Sequence, residues 1–230
     1  MKRRIVIGGA LACAAGTALA SEVQNPSFET GTYQAGFDAA VGDWMSDGAA
    51  YVAGDSTLSP FEGNRMLQFL TTAPDGGADG ASSDISQLLD ISDIAAAIDA
   101  GEASVDAMIY VNRVDAGPTT DTRMGISIYA FETMPTTIGE YLNPTLRTIT
   151  KLTTDADTST WEPIDVSMDI PSGVRYVGIT IFALENVVND NISPEFAGHF
   201  ADGLSLTIVP APASAALLGL GGLAIARRRR

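Results

Sequence analysis

The chain has 230 residues, with 13 Lys and Arg against 28 Asp and Glu, and 46% of its residues are hydrophobic. Seven of the basic residues lie within the first four and last four positions. The part between them carries six basic and 28 acidic residues, a net charge of −22. This charge disfavours nucleic acid and anionic lipid as partners. It leaves two interpretations, a solvated acidic surface suited to saline surroundings or carboxylates that gather divalent cations.

The N-terminal segment has the three parts of a secretory signal. Met1 to Arg4 is basic, Ile5 to Ala18 is apolar and rich in small residues, and Ala18 and Ala20 precede Ser21. This pattern predicts export by the Sec machinery and cleavage after Ala20, so that residues 1–20 form a signal helix. A lipoprotein signal is a weaker alternative, because Ala10 stands where a lipobox before Cys13 usually has Leu. Since Cys13 is the only cysteine, the exported part can form no disulfide.

Residues 21–208 read as a single all-β domain with one short helix. Alternating apolar residues predict strands over Ser104–Asn112, Thr122–Phe131, Trp161–Ile170, Arg175–Ala183 and Gly203–Val209. A helix is predicted over Asp93–Ala100, with Ser92 or Asp93 as its cap and Gly101 at its end. Residues 73–83, 134–145 and 187–196 are rich in Gly, Pro, Asp or Asn and are predicted loops. Many short strands with such breaks indicate a single β-sandwich.

Two short motifs bound this domain. It opens with Asn25-Pro-Ser-Phe-Glu29, followed by Trp44 in Gly-Asp-Trp, and closes with Phe200-Ala-Asp-Gly-Leu-Ser-Leu206. The pair resembles galactose-binding-like jelly rolls, which include many carbohydrate-binding modules. The resemblance implies a β-sandwich of jelly-roll type and, in some members, binding of a polysaccharide.

The same resemblance implies a structural calcium ion where the first and last strands meet. Glu29 and Asp202 match the acidic ligands of the opening and closing motifs, and the chain around Asn64 stands where a main-chain ligand is expected. Gly203 replaces a second Asp of the closing pair. Calcium takes six to eight oxygen ligands, so a mixed carboxylate and carbonyl set suits it. The alternative is that Glu29 and Asp202 are ordinary edge residues.

The aromatic residues allow two interpretations. Phe28 and Trp44 are predicted to belong to the core and not to a sugar-stacking platform. Aromatics in predicted loops are better stacking candidates, and the sequence singles out none of them: Tyr33, Phe37, Tyr51, Phe61 and Tyr141.

Enzyme chemistry has little support in the sequence. His199 is the only histidine, so a zinc site of clustered histidines is not expected. It is predicted to be a structural or surface residue. Carboxylate pairs carry little information in so acidic a chain. We therefore expect no catalytic residues and no organic cofactor.

The C-terminal segment 209–230 has three parts in a specific order. Pro210-Ala211-Pro212 is followed by an apolar run from Ser214 to Ala226 and then by Arg227, Arg228, Arg229 and Arg230. The run has 13 residues, fewer than the roughly 20 that a membrane-spanning helix needs. The arginines favour the cytoplasmic side. Together they predict a short hydrophobic helix in transient contact with the membrane.

This segment resembles the PEP-CTERM sorting tail, which an exosortase recognises and processes. Ala211 is a departure, since that family usually has Glu between the two prolines. A plain C-terminal membrane anchor is the alternative. The resemblance implies an exported protein of the cell envelope, cell surface or extracellular matrix that accompanies exopolysaccharide and biofilm. A structural role in the matrix and specific carbohydrate binding remain the two candidate functions.

Overall fold

The strands and helices come from a computed structural model that describes residues 19–20, 23–37, 40–46, 48–70, 83–114, 122–155, 157–185 and 198–210. The strands of this part are β1 (Leu19–Ala20), β2 (Gln34–Ala35), β3 (Trp44–Ser46), β4 (Ala49–Ala53), β5 (Arg65–Phe69), β6 (Ser83–Asp90), β7 (Ala103–Arg113), β8 (Thr122–Phe131), β9 (Leu146–Thr154), β10 (Glu162–Asp169), β11 (Tyr176–Glu185) and β12 (His199–Pro210). Two short helices, α1 (Ala95–Asp99) and α2 (Ile138–Tyr141), complete the list.

The strands form two sheets that pack into a sandwich. Sheet A has the order β10-β7-β12-β5-β4, with β1 also paired to β12, and sheet B has the order β2-β3-β6-β11-β8-β9. From β5 onward the chain changes sheet at every connection except the β8–β9 hairpin. This is the alternation of a jelly roll, and it confirms the predicted all-β sandwich of jelly-roll type.

The core lies between the inner faces of the two sheets. On β10, Ile164, Val166 and Met168 are buried while the residues between them are exposed or half-buried. On β11, Val177, Ile179 and Ile181 are fully buried. These are the faces predicted from the alternation of apolar residues, because successive side chains of a strand point to opposite sides of the sheet.

The predicted helix is present, and its start differs from the prediction. Residues Ser92–Ile94 form a 3-10 turn, and α1 begins after Ile94 without a side-chain cap hydrogen bond. Asp93 and Ser92 therefore do not cap α1. Gly101 ends it as predicted, with φ of 71° and its N–H donating to the Ile98 carbonyl at 2.9 Å.

Seven strands and one helix of the described part were not predicted from the sequence: β1, β2, β3, β4, β5, β6, β9 and α2. α2 lies inside the predicted loop 134–145, where the Thr137 hydroxyl accepts a hydrogen bond from the Glu140 N–H and caps the helix. A Thr cap followed by Glu three residues later is a helix-start signal that the Pro and Gly residues of this segment concealed.

Several predictions fall outside the described residues. They concern the signal segment before Leu19 together with Ser21, the loops 73–82 and 187–196, and the tail from Ala211 to Arg230. The end of the predicted signal helix was wrong at Leu19–Ala20, which form β1 and pair with Ile208 and Thr207 of β12. Pro210 ends β12. Within the described ranges, no helix has the length and apolar character needed to cross a membrane.

Candidate functional site

The outer face of sheet B carries a groove, built from side chains in register across four strands. One row is Asp84, Phe182, Gly125 and Lys151, taken in order across β6, β11, β8 and β9. The next row is Ser86, Thr180, Ser127 and Ile149, and the third is Leu88, Gly178, Tyr129 and Arg147. The groove has a volume of about 560 Å³, which lies within the usual range for small-molecule and cofactor pockets.

Small residues let aromatic rings lie close to the floor of this groove. A Cβ on Gly125 would stand 2.3 Å from the Phe182 ring, and one on Gly178 would stand 2.7 Å from the Tyr141 hydroxyl. Both positions therefore require glycine while the rings keep their places. Phe37 extends the aromatic wall, with its ring centre 5.2 Å from that of Tyr141.

Hydroxyl groups form a chain along the floor. The Tyr141 hydroxyl lies 2.9 Å from Thr180 Oγ1, which lies 2.8 Å from Ser86 Oγ. Burial raises the pKa of Tyr141 above its ordinary value, so this hydroxyl stays protonated at neutral pH. Such groups donate and accept hydrogen bonds. Tyr141 lies beneath the floor, and Ser86 and Thr180 line it. The floor therefore combines apolar rings with hydroxyls of the kind that bind a polyhydroxylated ligand.

One wall of the groove is cationic. The Arg147 guanidinium lies over the Tyr129 ring, 5.0 Å from its centre, and its Nη2 lies 3.5 Å from Ser127 Oγ. Lys151 projects from the same face of β9, four residues further along the strand, and is exposed. Stacking on an aromatic ring fixes the guanidinium while leaving most of its N–H donors available.

The opening motif of the domain builds a second, separate arrangement. The Asn25 side chain closes the turn, since its Nδ2 donates to the Thr30 carbonyl at 2.7 Å and its Oδ1 accepts from the Thr30 N–H at 3.0 Å. Phe28 has a φ of 55° and is fully buried against Trp44 and Tyr51. Phe28 and Trp44 are therefore core residues, as predicted.

Glu29 fastens this opening turn to the chain just before β5. Its Oε1 accepts hydrogen bonds from the N–H groups of Asn64 at 2.8 Å and Arg65 at 3.0 Å. The carboxylate lies directly over Gly63, where a Cβ would stand 2.1 Å from Oε1. Gly63 also has a φ of 64°. The predicted ligand pair Glu29 and Asn64 is thus brought together, with the Asn64 main chain in contact with Glu29.

Asp202 reaches the same loop from β12. It is fully buried, and its carboxylate accepts hydrogen bonds from the Glu62 N–H at 3.1 Å and the Gly203 N–H at 2.7 Å. Burial, with the nearby charge of Glu62 as a smaller cause, raises the pKa of Asp202 to about 6. No group of three or more His, Cys, Asp and Glu side chains in the described ranges is placed to hold a metal ion. The calcium site remains a prediction.

The other aromatic candidates for sugar stacking are partly in the core and partly on the surface. Tyr51 lies in the core and Tyr141 in α2, both buried. Phe61 is 41% exposed and stacks on Tyr110 with ring centres 3.7 Å apart.

His199 is fully buried at the start of β12, with its Nδ1 3.2 Å from Thr122 Oγ1. Its position between the sheets supports the structural role predicted for it.

Sequence reasoning missed most of the groove. Arg147, Ile149 and Lys151 alternate along β9, a period-2 pattern that could have been read as one face of a strand. Their common face mixes charged and apolar side chains, so it differs little in polarity from the opposite face of β9. No pattern in the sequence pairs β9 with β8.

No protein-family model matches the chain, and no curated protein matches it. Several solved structures resemble it in fold. The CBM22-1 xylan-binding domain of Paenibacillus barcinonensis Xyn10C is 14% identical, with 87% of this chain and 99% of that one covered at a TM-score of 0.47. TmCBM61, solved with β-1,4-galactotriose, is 14% identical, with 81% and 97% covered at 0.45.

A third similar structure is the enzymatically active domain of bacteriophage CBA120 tailspike protein 4. It is 11% identical, with 81% of this chain and 21% of that one covered at a TM-score of 0.44. These structures include both binding modules and an enzyme. At such identities and TM-scores, the function has to be argued from the groove itself.

Proposed function

We propose that this protein is a non-catalytic, exported polysaccharide-binding protein and that the groove of sheet B is its binding site. The observation that carries the proposal is the composition of the groove. Aromatic rings, the hydroxyls of Ser86 and Thr180 and exposed cationic groups line one cavity of about 560 Å³. Sugars present apolar C–H faces and many hydroxyls, which these groups complement by stacking and hydrogen bonding.

The test is binding of the full chain to a panel of soluble polysaccharides, by affinity electrophoresis and calorimetry. Phe37→Ala removes a half-buried ring that lines the groove. It should weaken binding at least severalfold. Phe61→Ala is the matched control, since Phe61 is an exposed ring that packs against Tyr110 of sheet A. Loss of binding in Phe61→Ala with none in Phe37→Ala would move the site to the other sheet.

The absence of catalysis is tested on the same samples. The protein should release no new reducing ends from any polysaccharide that it binds during prolonged incubation. Release of reducing ends that Phe37→Ala abolishes would make the groove an active site.

Sorting to the cell surface or matrix is the second part of the proposal. It rests on the signal segment and on the tail with Pro210, Ala211, Pro212 and the four terminal arginines. Deleting residues 211–230 should release the protein into the medium, and an exosortase-deficient host should retain the full-length chain in its membrane. If the chain stays in the membrane to the same extent in hosts with and without the exosortase, the plain membrane anchor is favoured.

A structural calcium ion is the third part. Glu29 and Asp202 would hold it, together with oxygen atoms of the 62–64 loop that both of them contact. Support comes from the full burial of Asp202 close to Glu62, since a cation relieves the cost of two nearby carboxylates. Millimolar calcium should raise the melting temperature relative to EDTA, and Glu29→Ala and Asp202→Ala should each reduce that gain. If the two substitutions lower the melting temperature equally in calcium and in EDTA, Glu29 and Asp202 are not calcium ligands.

A further inference from the structure

The six basic residues between the two ends of the chain are unevenly distributed. Three of them lie on the outer face of sheet B, namely Arg123 on β8 and Arg147 and Lys151 on β9. The other three have separate roles. Arg175 pairs with Asp99, Arg65 donates to the Tyr51 carbonyl, and Arg113 is buried. In a region with 28 acidic residues, this face collects half of the positive charge.

The three cations are close enough to act on one extended ligand. Lys151 and Arg147 are four residues apart on one face of β9, a spacing of roughly 13 Å along the strand. Arg123 lies on β8, diagonally across from Lys151, because Arg123 pairs with Thr153 and Gly125 with Lys151. Diagonal neighbours on adjacent strands are about 7–8 Å apart. Arg147 and Lys151 therefore line one wall of the groove, and Arg123 lies beside that wall on the same face of the sheet.

These cations are not neutralised by nearby acids within the described ranges. The ion pair found there joins Arg175 to Asp99, and none involves Arg123, Arg147 or Lys151. Asp84 is the acidic residue that lines the groove, and it stands on β6. Two strands, β11 and β8, separate it from Lys151 in the same row. That separation is about 14 Å, well beyond ion-pair distance.

We propose that the ligand of this groove is an anionic polysaccharide, bearing carboxylate or sulfate groups that contact Arg147, Lys151 and Arg123. This inference rests on the proposed function of the groove. Arg147 is the residue best placed to form a paired hydrogen bond with a carboxylate or sulfate, because its stacking on Tyr129 holds the guanidinium in position. The acidic remainder of the surface repels a polyanion elsewhere and thereby favours this one face.

The cations also stand on or next to β9, the edge strand of sheet B. Charged residues on an edge discourage pairing with other chains. That role requires charge of either sign, whereas an anionic ligand requires positive charge. Reversal of the charge therefore separates the two explanations.

The experiment compares polysaccharides that differ in charge alone. Polygalacturonate is measured against its fully methyl-esterified form, and chondroitin sulfate against desulfated chondroitin, by calorimetry with the full chain at 50 and 500 mM NaCl. The charged member of at least one pair should bind about tenfold more tightly at low salt, and 500 mM NaCl should remove most of this difference. Which pair responds shows whether carboxylate or sulfate is preferred.

Variants then assign the preference to the groove. Lys151→Glu and Arg147→Gln should each weaken binding of the anionic polymer about tenfold and leave any binding of its neutral partner within twofold. Ser167→Asp is the control for net charge, since Ser167 is exposed on β10 of sheet A. It should change neither by more than twofold.

Three results would overturn the inference. Equal binding of charged and neutral partners would leave the groove as a neutral-sugar site, so that the proposed function stands and this inference falls. No binding of any polysaccharide would remove both. Binding of a single-stranded oligonucleotide as tight as that of the anionic polysaccharide would show a site for polyanions in general.

Discussion

The outer faces of the two sheets differ in how much of each is buried and in the charge each carries. Along β10 and most of β7 in sheet A, exposed acidic and hydroxyl residues alternate with buried apolar ones, as Asp106 and Asp165 illustrate. On β5 and β12 of the same sheet, Met66 and Phe200 are buried on the outer face. On sheet B, β8 has nine of its ten residues buried, including the outward-facing Ser127, Tyr129 and Phe131. A sandwich needs only the inner face of each sheet to be apolar. The second buried face of sheet B is therefore an addition beyond what the fold requires.

The side chains packed on the outer face of sheet B therefore do not contribute to the core, and they form the groove. The hydroxyl chain and the cationic wall lie on sheet B, as do the rings over Gly125 and Gly178. On sheet A, the Phe61 ring lies over Gly203, where a Cβ would stand 2.8 Å from it. The β10 and β7 side of sheet A presents a surface typical of a solvated antiparallel sheet. The outer face of sheet A also carries an aromatic stack made by Phe61, Tyr110 and Trp161. A small apolar cluster, Leu58, Met66 and Phe200, lies beside it.

The largest expected effect comes from breaking the close packing on sheet B. Gly125→Ala should lower the free energy of unfolding by about 1–3 kcal/mol, because the new methyl would meet the Phe182 ring at 2.3 Å and the Thr150 carbonyl oxygen at 2.8 Å. Denaturant unfolding measures this. Gly139→Ala is the control, since its Cβ would meet only Thr137 Oγ1 at 3.9 Å. Equal stability of the two variants would mean that Phe182 does not rest on Gly125.

A smaller effect is expected from the hydroxyl chain. Tyr141→Phe removes the hydroxyl that lies 2.9 Å from Thr180 Oγ1 in a buried site. It should cost about 1–2 kcal/mol of stability, measured by denaturant unfolding. Thr180→Val removes the other partner of the same bond, so the double variant should cost less than the sum of the two. Strict additivity would show that the two hydroxyls are not coupled.

On sheet A, we expect the contribution of Asp202 to stability to depend on pH. The carboxyl of Asp202 has a pKa of about 6 in the folded protein against an ordinary value of 3.8. The folded state therefore holds the extra proton between these values, and this group adds stability as the pH falls from above 6 toward 4. In EDTA, the melting temperature of the wild type minus that of Asp202→Asn should increase by about 2–4 °C over this range. A constant difference would contradict the raised pKa.

The smallest effect is expected from the ion pair between Arg175 and Asp99, at 2.7 Å with both side chains partly exposed. Arg175→Gln should shift the melting temperature by less than the Asp202 effect, because solvent screens exposed pairs. The shift should shrink further in 500 mM NaCl. A large, salt-independent loss would show that Arg175 has a packing role beside the pair.

The sequence predicted the longer strands with a continuous apolar inner face better than the other strands of either sheet, for a physical reason. Period-2 alternation marks a strand with one buried face, as in β10, and Val177, Ile179 and Ile181 marked the inner face of β11. Where both faces are buried, as in β6 with its run Ser83–Asp90, alternation vanishes and a short run cannot be told from other structure. β4, β5 and β9 also lacked a clear apolar face.

The two candidate sites also differ in how far the sequence predicted them. Local motifs identified Glu29, Asn64 and Asp202, and the structure places all three around one loop, although their role with calcium remains a prediction. The groove draws its residues from β6, β8, β9 and β11, whose pairing follows from long-range contacts. Arg147 and Lys151 are unremarkable in the sequence because nothing local reveals that they share a face with Tyr129 and Phe182.

The position of β12 has a consequence for how the chain is made. This strand lies between β7 and β5 in the middle of sheet A, although it is the last described strand in sequence. Until residues 199–209 have been synthesised, the β4–β5 hairpin and the β7–β10 pair have no strand to join them. Contacts of such long sequence separation form late. Sheet A of a chain built in this way therefore stays in two separate parts until residues 199–209 are available to join them.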